Sequence, residues 1–150
     1  MTKPTFICKS FDELTTLELY ALLQLRSEVF VVEQNCVYQD VDGYDQSAMH
    51  LLMYLDDELC AYSRLIPPGI KYKSASLGRV VTQRSARGGG HGKALMESAK
   101  AHCERLWPQM GLTISAQAYL EKFYQSLGFK TESEPYMEDD IPHIQMRLTY

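Results

Sequence analysis

The stretch Arg87-Gly88-Gly89-Gly90-His91-Gly92-Lys93-Ala94 decides how the chain is read. Four of its glycines fall within five positions, after an apolar run over residues 77–82. Behind it Ala94, Leu95, Ala99, Ala101, His102 and Leu106 support a helix that stops before Pro108. A glycine loop between a strand and a helix lets the backbone approach a ligand closely. It aims several amide N–H groups at one point, with the positive end of the helix dipole behind them. That is an anion site, and two familiar phosphate loops fail on it. A P-loop needs Gly-x-x-x-x-Gly-Lys-Ser/Thr, whereas Arg87 holds the first glycine position and Ala94 replaces the magnesium-binding hydroxyl. The dinucleotide pattern Gly-x-Gly-x-x-Gly ends on Lys93 in one register and on Leu95 in the other.

Outward from the loop, the chain reads as alternating short elements. Ser10-Phe11-Asp12-Glu13 has the form of a capping box, and Leu14, Leu17, Ala21, Leu22, Leu25 and Val29 follow at helical spacing. A first helix is expected over residues 12–30. Two apolar runs, 49–55 and 59–66, joined by Asp56-Asp57-Glu58, predict an antiparallel hairpin, which Pro67-Pro68-Gly69 ends. Strands are expected at 112–118, 129–134 and 144–148, a short helix at 120–127 closed by Gly128, and loops at 35–47 and 136–142. The Asp40-x-Asp42-Gly43 start resembles a calcium loop, but Leu51 stands where its bidentate Glu belongs. The order predicts an α/β fold with a mixed, mostly antiparallel sheet flanked by helices.

The 150 residues suit a single domain, 1–150, and 45% hydrophobic with 23% charged content is that of a globular chain. No apolar stretch approaches the roughly 18 residues of a membrane span, and Lys3, Pro4, Cys8 and Lys9 interrupt any signal-peptide core. A cytoplasmic protein without membrane contact is expected. Cys8, Cys36, Cys60 and Cys103 lack zinc or disulfide-framework spacing, so reduced, mostly buried thiols and no metal are expected. The net charge of −4 argues against nucleic acid as a partner. Its distribution is more informative. Residues 79–105 hold six basic and two acidic side chains, a local +4, which leaves nine basic and seventeen acidic elsewhere. A compact cationic segment in an acidic chain suggests a small phosphorylated ligand.

A third loop pattern, Arg/Gln-x-x-Gly-x-Gly/Ala, fits as Arg87, Gly90 and Gly92. Downstream, Phe123-Tyr124-Gln125-Ser126-Leu127-Gly128-Phe129 carries Tyr-x-x-x-Gly-Phe. With these two motifs the chain resembles the GNAT superfamily of acyl-CoA N-acyltransferases. Segments 25–34, 38–43 and 141–146 are similar to its ElaA branch, and the first is also similar to acyl-homoserine-lactone synthases, which share the fold.

The resemblance implies a donor and roles. Acetyl-CoA would be the acyl donor, its pyrophosphate cradled by Arg87, Gly88, Gly89, Gly90, His91, Gly92, Lys93 and Ala94, with Arg84 near a further phosphate. Main-chain groups of Val80, Val81 and Thr82 would pair with pantetheine, and Gln117 holds a position where many members carry a pantetheine-contacting Asn. Tyr124 matches the position that protonates the departing thiolate, a role a phenol suits at neutral pH. An ammonium acceptor must lose a proton first; Glu33 and His143 are the candidate bases. The acceptor would be a small-molecule amine or a protein or peptide amine. Glu132, Glu134, Glu138, Asp139 and Asp140, joined by Asp40, Asp42 and Asp45, would draw a cationic one. A homodimer is a further expected partner arrangement. Two other readings stay open: a CoA- or acyl-CoA-binding module without turnover, and an acyl-homoserine-lactone-synthase-like acyltransferase.

Overall fold

The apolar runs that flag the central strands are continuous rather than alternating because both faces of the first sheet are covered. In the computed structural model, which describes residues 3–150, this sheet runs β1 (Thr5–Ser10), β2 (Met49–Leu55), β3 (Glu58–Ile66) and β4 (Ser76–Thr82), all antiparallel neighbours. Leu52, Tyr62 and Val81 point to one face, against Leu22, Leu25 and Val29 of the first helical segment. Leu51, Met53, Ala61, Leu65 and Leu77 point to the other, against Leu95, Met96, Ala99 and Cys103 of α2 (His91–Leu106). Two of the four unpaired cysteines are buried, Cys60 and Cys103, and two are half-buried, Cys8 and Cys36.

The second sheet holds β5 (Leu112–Gln117) against β8 (Ile141–Leu148), whose other edge carries β6 (Lys130–Thr131) and β7 (Tyr136–Glu138). α3 (Glu121–Ser126) follows β5. The two sheets touch through one parallel bridge, Ala75 with Leu112, reinforced by the Thr113 N–H on the Ala75 carbonyl at 3.0 Å. Beyond it β4 and β5 are unpaired and splay apart. The gap between them is where the functional cleft forms.

Several expected boundaries move, each for a local reason. The Ser10 box exists, with the Ser10 N–H on Glu13 at 2.9 Å, but it caps only a 3₁₀ turn. A second box, Thr15 with Glu18, starts α1 (Thr16–Arg26), and Leu17 points to solvent. The helix then widens into a π-helical segment, Ser27–Glu33. Residues 5–10, not expected as a strand, pair with β2 in full register. The expected strand over 129–134 keeps only Lys130–Thr131 as a strand. The Gln145 N–H goes to the Ser133 hydroxyl instead of a backbone carbonyl, and Pro135 offers no N–H. The expected loop at 136–142 is a hairpin turned by Asp139 and Asp140, both left-handed at φ 51° and 61°. Asp56 and Asp57 turn the β2–β3 hairpin the same way, at φ 50° and 64°.

Candidate active site

Which backbone groups face the gap follows from alternation along β4. The Gln83 N–H donates to the Cys60 carbonyl of β3 at 2.7 Å. In an antiparallel strand successive residues turn their N–H and C=O to opposite sides, so Val81 also faces β3 while Val80 and Thr82 face the open side toward β5. The register shifts between Tyr62 and Arg64 because β4 carries an extra residue there, and Arg79 sits left-handed at φ 50°. This bulge bends β4 away from β5.

The glycine loop lies at the wider end. Gly88 and Gly90 are left-handed, at φ 89° and 79°, which side chains rarely tolerate. Gly90 caps α2, whose first intrahelical bond runs from the Ala94 N–H to the Gly90 carbonyl at 3.1 Å. The N–H groups of His91, Gly92 and Lys93 therefore have no helical partner and sit at the positive end of a 16-residue helix. A Cβ on Gly92 would meet only Thr82 Oγ1 at 3.8 Å, so what glycine preserves there is room for a ligand, not for the protein. Arg87 donates from its Nη atoms to Glu33 at 2.6 and 3.1 Å and from Nε to the Thr82 carbonyl at 3.1 Å. The Arg87 hydrogen bonds, opposed by some loss of hydration and helped by the Arg87 and Arg84 charges, hold the Glu33 carboxyl below its ordinary range.

One cleft of about 660 Å³ joins these parts. Val80, Val81, Thr82, Arg87, Gly88, Gly90, His91, Gly92, Gln117, Tyr124, Glu33 and His143 all line it. Gly89 faces a shallower depression on the other side of the loop, and Lys93 and Ala94 lie off the cleft wall, Lys93 exposed. Tyr124 is 7% exposed, packed edge-on against Phe123 and Phe129. Its hydroxyl makes no hydrogen bond among the described residues. Burial, with a smaller push from Tyr119, raises the phenol to about 12. His143 faces Gln117 in register across β5 and β8. Its Nδ1–H donates to the Ile141 carbonyl at 2.7 Å, which leaves Nε2 toward Glu138 at 3.3 Å. Glu138 also accepts from Ser115 at 3.2 Å, and Ser115 bonds the Tyr136 hydroxyl at 2.6 Å.

The acidic funnel expected from Asp40, Asp42 and Asp45 is not one. Arg26 binds Asp40 at 2.8 Å and Asp45 at 2.7 Å, Arg64 binds Asp42 at 2.8 Å and Asp45 at 3.0 Å, and Arg79 binds Asp40 at 2.7 Å and Asp42 at 3.2 Å. Three guanidiniums neutralise three carboxylates, so these aspartates attract nothing. For Asp42, burial would raise the pKa. The Arg64 hydrogen bonds, the Tyr44 N–H and the charges of Arg64 and Arg79 outweigh it and hold the group at about 2. Of the acidic residues expected near the acceptor, Glu138 and Asp139 line the cleft; Glu132, Glu134 and Asp140 do not. The network itself was missed in the sequence. Its available signal was Arg64, a charge inside the otherwise apolar strand of residues 59–66.

Comparison with known proteins places this architecture. Residues 16–150 match the model of the acetyltransferase (GNAT) domain family. The chain is 46% identical to the protein ElaA of Escherichia coli strain K12 over 137 residues, 90% of each chain. A crystal structure described as an acyl-CoA N-acyltransferase from Pseudomonas aeruginosa superposes with TM-score 0.94 at 48% identity, covering 98% of this chain and 100% of that one. The Escherichia coli ElaA crystal structure gives TM-score 0.91 over 97% and 99%. The AHL synthase LasI, at TM-score 0.79 and 14% identity over 99% and 91%, shares the fold alone. By sequence and by fold, the chain belongs to the GNAT family of acetyltransferases.

Proposed function

We propose that the protein is an acetyl-CoA-dependent N-acetyltransferase in which a primary amine attacks the thioester directly. The observation that carries this reading is the hydroxyl of Tyr124, open to the cleft at the tip of an otherwise buried side chain. It has no protein partner and lines the same cleft as the glycine loop and an imidazole–carboxylate pair. In this reading the unpartnered amides at the start of α2, with Arg87, hold the pyrophosphate, Lys93 and Ala94 contributing through the first helical turn. Val80 and Thr82 offer main-chain groups to pantetheine and to the acetyl carbonyl, where a fixed N–H stabilises the developing oxyanion without reorganising.

His143 is the favoured base. Its Nδ1–H is tied to a carbonyl, so Nε2 takes the proton from the acceptor ammonium, and Glu138 stabilises the imidazolium formed. Glu33 is weakly basic while Arg87 holds it. Pyrophosphate arriving at Arg87 would compete for that guanidinium and return basicity to Glu33. The amine nitrogen then bonds to the acetyl carbon, the C–S bond breaks as Tyr124 gives its proton to the sulfur, and the second proton of the nitrogen returns to the phenolate, leaving the amide and the free thiol. Burial that raises the phenol also penalises a bare thiolate beside it, so the transfer is less uphill than the two groups' values in water imply.

The four unpaired thiols support a reducing compartment such as the cytoplasm. No helix among the described residues is long and apolar enough to cross a membrane. The deciding measurement is thiol release from acetyl-CoA with a panel of primary amines, which should be amine-dependent and saturable in both substrates. Acetyl-CoA binding without thiol release for any amine would instead leave a binding module.

A further inference from the structure

Beyond the donor loop, the cleft wall carries hydrogen-bond donors that the protein does not satisfy. With Arg26, Arg64 and Arg79 balanced by three aspartates, one cation on this wall is left over. Lys71 lines the cleft and makes no ion pair among the described residues; its contact is the ring of Tyr44, 5.2 Å from the ammonium. Loss of hydration, then the Arg64 and Arg79 charges, lower its pKa, only partly offset by Glu138 and Asp42. An ammonium beside guanidiniums with no carboxylate of its own is relieved by an anion.

A further donor belongs to the same wall. The hydroxyl of Tyr72 makes no hydrogen bond among the described residues. Burial, with the neighbouring Tyr136 and Glu138, raises its pKa and keeps the proton on it. Arg64, 1% exposed, spends its Nη atoms on Asp42 and Asp45, and its Nε is buried away from the cleft surface, so it adds charge to this wall and no donor. Close by are the acceptors: Glu138, whose charge reaches both Lys71 and Tyr72, with Asp139 and His143. Unsatisfied donors next to acceptors in one cleft suit a ligand bearing both signs of charge.

We infer that the acceptor carries a carboxylate beside its amine, as an amino acid does, and that Lys71, with Tyr72, receives that carboxylate while Glu138 and His143 face the amine. The inference rests on the acetyltransferase reading and narrows its substrate class. Lys71, Tyr72, Glu138 and His143 line one cleft, so a single small ligand can meet both signs of charge there, whereas a polyamine offers Lys71 no anion.

The test uses the standard amino acids, each paired with its own decarboxylated amine, in the thiol-release assay with wild type, Lys71→Met and Lys71→Arg. At least one amino acid should exceed its amine partner tenfold or more in kcat/KM. Lys71→Met should raise KM for that amino acid about tenfold while sparing the partner amine and acetyl-CoA, and Lys71→Arg should restore most of the loss. As a readout without turnover, the same amino acid should further raise the melting temperature of the CoA complex, and Lys71→Met should remove that increment. Equal use of both members of every pair, or equal loss for both in Lys71→Met, overturns the carboxylate assignment and leaves the acetyltransferase reading intact. A protein that no CoA species stabilises overturns both.

Discussion

Replacing Tyr124 by Phe removes one oxygen from a side chain that is otherwise core, so chemistry and packing can be separated. The ring contacts with Phe123 and Phe129 persist, and the hydroxyl has no protein partner to strand. Stability should therefore move by less than about 1 kcal/mol, a melting shift within about 4 °C for a domain of this size. Turnover should fall on the order of 10²-fold, about 2.7 kcal/mol of barrier, the lower part of what a positioned acid contributes. Because the loss belongs to the transition state, kcat and kcat/KM should drop together with acetyl-CoA affinity unchanged. A phenol at about 12 stays protonated through neutral pH, so any titration below pH 9 in the wild-type profile belongs to another group and should persist in the variant. The assay is thiol release across pH with an acceptor that the amine panel yields. Wild-type turnover in a folded Phe variant would refute the acid role. Melting lowered by several degrees together with weaker acetyl-CoA binding would show that the oxygen is structural.

Gly90→Val should abolish acetyl-CoA binding in a protein that still folds, since the left-handed φ of 79° at the cap of α2 resists a β-branched residue and the loop must re-aim its amides; an unchanged dissociation constant by calorimetry would contradict the loop assignment. Acid titration of the melting temperature should show two falls. His50 is buried neutral between the Tyr62 hydroxyl and the Asp45 carbonyl and held below its ordinary 6.5, so stability declines as pH drops below that value. Asp42, at about 2 folded against 3.8 ordinarily, contributes stability that is present above pH 4 and lost between pH 4 and 2, about 1 kcal/mol once solvent screening of this exposed residue is allowed for. A curve flat from pH 7 to 3 would disprove both linkages.

The parts of the fold legible in the sequence are those where one local rule suffices. The apolar run 49–55, the glycine loop and the helix ending before Pro108 each depend on neighbours in the chain. Tyr124 and His143 were expected at the site because one sits in a motif and the other opens a strand, and both line the cleft. What escaped depends on partners far away. The sequence Thr-Phe-Ile-Cys-Lys-Ser is a strand because β2 offers it an edge, and nothing in its composition announces that. Asp139-Asp140 reads as a charged loop, but two adjacent left-handed aspartates turn a hairpin and bring Glu138 to His143. Arg26, 0% exposed, and Arg64 are the plainest failure. Charged side chains are expected in water, and only the fold brings them to aspartates fourteen to twenty-two residues away.

Arg79 holds a left-handed bulge where glycine would avoid roughly 1–2 kcal/mol of backbone strain. Glycine there, however, could not reach Asp40 and Asp42. Positions 26, 40, 42, 45, 64 and 79 are therefore energetically coupled as one unit. Each charge has two partners, so losing one leaves both still paired but the cluster one charge out of balance, and a compensating second change restores it. The bend that opens β4 from β5 is thus held partly by aspartates that belong to neither strand.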